Sequence, residues 1–255
     1  MDLRFNKDLI EGYHSPRQII RRLSEDWLER NIYCPSCGRH SISAFGNNTK
    51  VGDFFCPDCD EQFELKSKSG LSNGKKVPDG AYESMIARIQ AEDNPNFFFL
   101  AYRKADYSVQ QLVLVPKHFI TTKMIVPRHK ALKGRNNYLM CDMDISTLPE
   151  SGKILLIDKA RVVEPETVYH QWKKHLFLRQ QQSKSKGWLL AMMKCIDKLP
   201  EQFDLQQVYA FEQVLSVQFP EYKHITDKIR QQLQILRNQN VIEFLGGGKY
   251  IKIKS

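Results

Sequence analysis

The stretch Val51-Gly-Asp-Phe-Phe-Cys-Pro-Asp-Cys-Asp-Glu-Gln-Phe-Glu-Leu-Lys66 decides how this chain is read. Its Cys56 and Cys59 form a C-x-x-C unit, and an earlier unit, Cys34 and Cys37, is separated from it by eighteen residues. Two such pairs at this spacing form the pattern of a structural zinc site, because four thiolates complete a tetrahedron around Zn²⁺. In a reducing compartment the alternative, a pair of disulfides, is disfavoured. Zinc deaminases also use a C-x-x-C, but they need an H-x-E, and none occurs here. The other two cysteines, Cys141 and Cys195, lie in apolar-rich segments and are expected to be reduced core residues.

The flanks of the second pair alternate apolar and polar residues, so 51–55 and 62–66 read as two strands joined across the knuckle. With the hairpin centred near residues 58–59, Asp53 falls opposite Glu64, and directly opposed residues have Cβ atoms about 4.5–5.5 Å apart. Glu64 and Lys66 share a face while Leu65 points the other way. Two carboxylates and an ammonium then meet on one patch, and carboxylates are what a hard cation such as Mg²⁺ takes. An acidic residue followed by E-x-K on a strand is the signature of a metal-dependent nuclease. Alone, E-x-K is commonplace as a solvated face and an aspartate before a knuckle is usually a turn residue. Their shared register favours the catalytic reading of Asp53, Glu64 and Lys66.

Composition bounds the partner. A chain of 255 residues with 42% hydrophobic content has room for one large domain or two smaller ones. A net charge of +9 and a pI near 9.2 favour a polyanion over a neutral partner. No run of eighteen apolar residues occurs and the N-terminus lacks the shape of a signal peptide, so a cytoplasmic, intracellular protein with no membrane partner is expected.

Ser15 and Pro16 start a helix whose stripe Ile19, Ile20, Leu23 and Trp27 runs to about residue 30. Residues 67–78 read as a polar, basic loop beside the patch. Asp79 reads as the cap of a helix to about residue 92, and 97–102, 109–115 and 153–157 as strands. Residues 116–150 read as irregular and basic, with Lys117, Lys123, Arg128, Lys130, Lys133 and Arg135, and 164–178 as a helix. That order gives an α/β domain with a mixed sheet over residues 1–180.

The polar run 179–187 reads as a linker to a small α+β module, residues 183–255. Helices are expected over 188–199, 205–219 and 224–240, the last with Ile225, Ile229, Leu233 and Leu236 on one face. Val241-Ile-Glu-Phe, three glycines and Lys249-Tyr-Ile-Lys-Ile then form a hairpin, which makes a winged helix. Lys228, Arg230, Gln231, Gln234 and Arg237 on the third helix suit DNA, Arg and Gln for base edges and Lys for phosphate. Lys249 in the wing suits phosphate. The same face could be merely solvated, since winged helices also contact proteins.

The runs that carry these motifs resemble one family. They are the paired C-x-x-C units, Asp53-Phe-Phe-Cys56, Phe63-Glu-Leu-Lys-Ser-Lys68, Asp79-Gly-Ala-Tyr82 and Asn94-Pro-Asn-Phe-Phe-Phe-Leu100, then Leu176-Phe-Leu-Arg179, Lys228-Ile-Arg-Gln-Gln-Leu-Gln-Ile-Leu-Arg237 and the Gly-Lys-Tyr of the wing. Over nearly its whole length the chain resembles the DpnI-type methyl-directed (type IIM) restriction endonucleases, which cut DNA where the adenine of GATC is methylated. The resemblance implies a PD-(D/E)xK nuclease fold with an inserted four-cysteine zinc site, followed by a winged helix. It implies that Asp53, Glu64 and Lys66 are catalytic. Asp53, Glu64 and the main-chain carbonyl of Leu65 would hold catalytic Mg²⁺, and Cys34, Cys37, Cys56 and Cys59 structural Zn²⁺. The partner would be adenine-methylated double-stranded DNA, met by a monomer. Gly52 stands where the wider fold often has proline, an exchange expected to change little. Tyr138 stands in a segment where the family is expected to present a tryptophan wedge to DNA. The rival readings are a non-cleaving methyl-DNA-binding regulator and a zinc-ribbon RNA-binding protein. A pure binder has no use for a metal-holding carboxylate pair, and the winged-helix pattern weakens the RNA reading.

Overall fold

The structure, a computed structural model, describes residues 1–46, 52–91, 93–128 and 139–253. They fall into two compact units, Met1–Thr147 with Gly152–Lys173, and Leu148–Ser151 with Lys174–Ser255.

The first unit opens with α1 (Pro16–Asn31), whose proline occupies the first helical position, where its missing N–H leaves no bond unmade. The helix buries Leu23, Ser24, Trp27 and Leu28, and the Trp27 indole donates to the Asp2 carbonyl at 2.7 Å. The strands follow as β1 (Ser43–Ala44), β2 (Phe54–Phe55), β3 (Gln62–Ser69), β4 (Lys76–Ala81), β5 (Asn96–Arg103), β6 (Ser108–Val115), β7 (Ile125–Pro127), β8 (Met140–Asp144), β9 (Ile154–Asp158) and β10 (Arg161–Val162). Seven of them form a mixed sheet in the order β1-β2-β3-β5-β6-β9-β10, with β3 and β5 parallel and the other neighbours antiparallel. The run Phe97-Phe-Phe-Leu-Ala101 on β5 is fully buried, as a central strand covered on both faces must be. Asn96 opens that strand with its side chain fully used. Its amide donates to Glu61 Oε2 and the Gln62 carbonyl, both at 2.9 Å, and its oxygen accepts the Lys117 N–H at 2.9 Å.

The remaining three strands form a second sheet, β4-β8-β7, which the sequence reading did not contain. Residues 76–81 are an edge strand instead of a loop and helix cap, and α2 (Tyr82–Gln90) begins after Ala81. Pro78 is tolerated because an edge strand has a side on which no N–H is required. Asp79 does not cap α2; its side chain turns to Lys66 and to the Gly80 N–H. The stretch read as irregular holds β7 and β8, while Lys130, Lys133, Arg135 and Tyr138 lie outside the described residues. The loop beside the patch is also shorter than expected. Residues 67–69 extend β3, and buried Asn73 fastens the turn by donating to the Phe99 carbonyl at 2.8 Å. Helix α3 (Pro165–Lys174) buries Val168 and Trp172.

The second unit consists of α4 (Ser183–Asp197), β11 (Gln202–Asp204), α5 (Leu205–Tyr209), α6 (Glu212–Gln218), α7 (Ile225–Asn238), β12 (Ile242–Gly246) and β13 (Lys249–Lys252). The run read as a linker is mostly helical: a 3-10 helix, Leu176–Gln180, runs into it and α4 starts at Ser183. Trp188 then stacks on Phe219 at 4.2 Å between centroids and meets Tyr222 edge-on at 5.3 Å. The single helix expected over 205–219 is two: the Phe211 N–H turns back to the Val208 carbonyl and closes α5. Asp204 starts α5 with a capping box, accepting the Gln207 N–H at 2.9 Å while Gln207 Oε1 accepts the Asp204 N–H at 2.8 Å. Helix α7 buries Ile225, Ile229, Leu233 and Leu236 as its periodicity requires. The hairpin β12–β13, joined by β11 in a three-stranded sheet, turns on Gly247 and Gly248 at φ 57° and 77°. A two-residue turn with both φ positive matches the twist of its strands and suits glycine. Among the described residues no helix is long and apolar enough to cross a membrane.

Candidate metal centre and active cleft

The two cysteine pairs form matching knuckles. In the first, the Cys34 N–H donates to the Arg39 carbonyl (2.7 Å) and the Gly38 N–H to the Cys34 carbonyl (2.9 Å). In the second, the Cys56 N–H donates to the Glu61 carbonyl (2.9 Å) and the Asp60 N–H to the Cys56 carbonyl (3.0 Å). Each loop thereby bends its two thiols to one side. The four sulfurs lie within 4.8 Å of one another, with Cys34–Cys59 at 3.6 Å and Cys37–Cys56 at 3.5 Å. Zn–S bonds of about 2.3 Å in a tetrahedron require S···S separations of about 3.8 Å, so the donor set fits a closed Zn²⁺ site. Burial pushes the Cys34 thiol up. At Cys56 burial acts the same way, but N–H groups of Asp58 and Cys59 aimed at the sulfur outweigh it and bring the thiol below its ordinary value, as a thiolate ligand requires. Cys141 and Cys195 are buried free thiols.

The same hairpin builds the cleft. The pairs Phe54↔Phe63 and Phe55↔Gln62 place Asp53 opposite Glu64. The Asp53 N–H donates to the Phe63 carbonyl at 3.0 Å, its carbonyl accepts the Phe45 N–H at 2.9 Å, and its Oδ2 accepts the Leu65 N–H at 2.8 Å. The preceding Gly52 has φ +150°, and a Cβ there would lie 3.2 Å from the Phe63 carbonyl oxygen. Proline, fixed near −65°, cannot adopt that backbone, so the exchange is not the neutral one expected from sequence: this strand entry is built for glycine. Asp53, Glu64, Leu65 and Lys66 all line one open cleft of about 290 Å³. Its opposite wall comes from α1, through Arg17, Arg21, Ser24 and Glu25.

Burial raises the Asp53 carboxyl above its ordinary range, and Glu25 adds to this; the Leu65 N–H, Lys66 and Arg21 pull the other way without cancelling it. Lys66 sits between Glu64 Oε1 at 2.5 Å and Asp79 Oδ1 at 2.8 Å. Burial works against its charge, but the two carboxylates outweigh burial and hold the ammonium above its ordinary value. Two carboxylates with hard oxygen donors, a main chain between them and a charged ammonium beside them can hold a divalent cation and a phosphate. The sequence reading missed Arg21, Glu25 and Asp79. The i, i+4 spacing of Arg17, Arg21 and Glu25 is a visible signal for the first two; Asp79 heads the Asp79-Gly-Ala-Tyr82 run but reads as a helix cap.

In the second unit the face of α7 carries Arg230, Gln231, Gln234 and Arg237 exposed, and Lys228 half-buried with its ammonium on Gln231 Oε1 at 2.7 Å. Lys249 is exposed in the wing. Two features were not anticipated. Arg230 donates to the Tyr209 hydroxyl, with its guanidinium 5.7 Å from that ring, and the wing exposes Phe244 and Leu245.

The chain matches the family model DpnI, described as the Dam-replacing family, over residues 1–181, and that of the Dam-replacing HTH domain over residues 184–252. Matched in this way over nearly its whole length, the chain belongs to the DpnI family of restriction endonucleases, which act on DNA.

Proposed function

We propose that this protein is a metal-dependent endonuclease of the PD-(D/E)xK kind that cleaves double-stranded DNA at adenine-methylated sites, with G(m6A)TC as the target. The observation that carries the reading is the convergence of Asp53, Glu64 and Lys66 on one open cleft faced by Arg17 and Arg21. Asp53 and Glu64, with the Leu65 main chain, would hold Mg²⁺. When bound, that cation supplies Lewis acidity, lowering the pKa of a water and stabilising charge on the phosphate. Lys66, kept charged by its carboxylate neighbours, orients the attacking water and screens the phosphate. Arg17 and Arg21 on the opposite wall add positive charge where the DNA backbone approaches. Zinc, closed off by four thiolates, has a structural role.

One methyl in an apolar pocket discriminates by only about 1–3 kcal/mol, roughly 10–200-fold. Two DNA-reading domains that each sense the methyl multiply their factors, which is a physical reason to join residues 1–180 to a winged helix in 183–255. In that second domain Gln234 and Arg237 read base edges, Arg230 and Gln231 lie beside them, and Lys228 and Lys249 hold phosphate.

The test uses plasmid prepared from adenine-methylating and non-methylating hosts, with and without Mg²⁺. Cutting of the methylated plasmid alone, dependent on Mg²⁺ and abolished in Asp53→Ala, Glu64→Ala and Lys66→Ala while DNA binding persists, is the expected result. Binding to methylated DNA without cutting under any divalent cation would instead make the chain a regulator. Near wild-type cutting by any of the three variants would remove that residue from the site.

A further inference from the structure

Asp79 lies outside both the Asp53…Glu64-x-Lys66 pattern and the cleft lining. It lies on β4, within the shift between the paired Pro78 and Ala81, and so on the second sheet. Its side chain is only 7% exposed. Oδ1 accepts from Lys66 Nζ at 2.8 Å and from the Gly80 N–H at 2.6 Å, while Oδ2 is buried with no partner among the described residues. A buried carboxylate with an idle oxygen is unfavourable unless its remaining contact is strong, and the ammonium supplies that contact.

The two partners of Lys66 are not equivalent. Glu64 lines the open cleft and is exposed to whatever enters it; Asp79 is not part of that lining. A cation held by Asp53 and Glu64 would compete with Lys66 for Glu64, whereas Asp79, outside the cleft lining, would keep its contact with the ammonium. A lysine has four rotatable side-chain bonds and no intrinsic preference for one direction, so it needs a fixed acceptor to stay aimed. We propose that Asp79 is the positioning residue of Lys66: the second sheet, through Asp79, holds the ammonium in the cleft once Glu64 is engaged elsewhere. This rests on Lys66 being a functional residue of that cleft.

The test has a metal-free arm and a cleavage arm. In ¹⁵N-lysine spectra of the protein without added Mg²⁺, Lys66, assigned by its loss in Lys66→Met, should give a slowly exchanging ammonium signal. The signal should survive in Glu64→Gln and broaden or vanish in Asp79→Asn. Under single-turnover conditions Asp79→Asn should cut about 10–100-fold more slowly, the scale expected when a reacting group is misplaced by about 1 Å. DNA affinity and zinc content should stay unchanged, and Asp79→Glu should restore part of the rate. A signal that persists in Asp79→Asn and vanishes in Glu64→Gln would overturn the proposal, as would a wild-type rate in Asp79→Asn. If Lys66→Met itself cuts normally, the catalytic reading of Lys66 has failed, and the metal-free spectra still decide which carboxylate holds the ammonium. If Asp79→Asn does not fold, the Glu64→Gln spectrum decides.

Discussion

Asp53, proposed above as a holder of the cation, sits where its charge works against stability. Its carboxyl is raised first by burial and then by Glu25, and the Leu65 N–H, Lys66 and Arg21 do not restore it. A carboxyl raised in the folded state binds its proton more readily folded than unfolded. Its stabilising contribution is therefore present below the ordinary carboxylate range and lost as pH rises through the raised value. Without added Mg²⁺, Asp53→Asn should melt higher than wild type at neutral pH, and the gap should close as pH falls to about 4. Added Mg²⁺ should raise the melting temperature of wild type and not of the variant, since the bound cation stabilises only the protein that holds it. A neutral-pH melting temperature below wild type would show that the Leu65 N–H bond outweighs the burial. At this scale the sequence was legible wherever register alone decides: an alternation of two and a turn of known centre put Asp53 opposite Glu64. Gly52 was misjudged because its φ of +150° is a property of how β2 enters the sheet, which residue identity does not encode.

The element that matters most is the hairpin of β2 and β3, because its knuckle joins the cysteine cluster to the cleft. The Cys56–Cys59 loop joins the strands, and Asp53 and Glu64 stand opposite each other one step beyond the Phe54↔Phe63 pair. Glu61 ties the loop to β5 through Asn96 at 2.9 Å, whereas the first knuckle is held against the second by the shared sulfurs and by an exposed Arg39–Asp58 ion pair, a weak tie in water. Loss of the metal should therefore loosen the hairpin and the cleft together. One zinc per chain should co-purify. Cys34→Ser or Cys59→Ser should lower zinc content, melting temperature and cutting in parallel, with a loss of several kcal/mol or about 10 °C in a domain of this size. A zinc-free protein that melts and cuts like wild type would separate the two centres. Elements with strong local signals were legible: α1 by its proline and apolar stripe, β5 and β6 by their apolar runs, α7 by its periodicity. The second sheet was not. Its strand β4 contains Pro78 and Gly80, poor strand formers, and its partner β8 lies some sixty residues away, so only tertiary pairing creates it. The break between α5 and α6 has no glycine or proline to announce it.

At the scale of the molecule, the family matches divide at residues 181 and 184, inside the run that looked like a linker, while the compact units divide earlier in the chain. The second unit takes in Leu148–Ser151 and starts at Lys174. Within it, the Lys174 ammonium donates to the Ile253 carbonyl at 2.6 Å and the Glu150 N–H to Asp197 Oδ2 at 2.8 Å. Polar composition suggested a flexible joint at 179–187 because lysine, serine and glutamine suit both loops and the exposed turns of helices. A fragment beginning at residue 183 should fold around Trp188, Phe219 and the apolar face of α7, yet be less stable than one beginning at 174, by about 1 kcal/mol for the lost hydrogen bond. Neither should cut. Both should bind methylated duplexes at least about tenfold more tightly than unmethylated ones, if an apolar pocket in this unit holds the methyl. Gln234→Ala or Arg237→Ala should lose about 1–3 kcal/mol of binding at one base position, whereas Lys249→Ala should weaken all sequences alike and flatten the salt dependence. Fluorescence anisotropy across a salt series measures all of these at once. Equal affinity for methylated and unmethylated duplexes would make this unit an electrostatic clamp. The methyl would then be read by the nuclease unit alone, and its discrimination would be limited to the single factor that one pocket can supply.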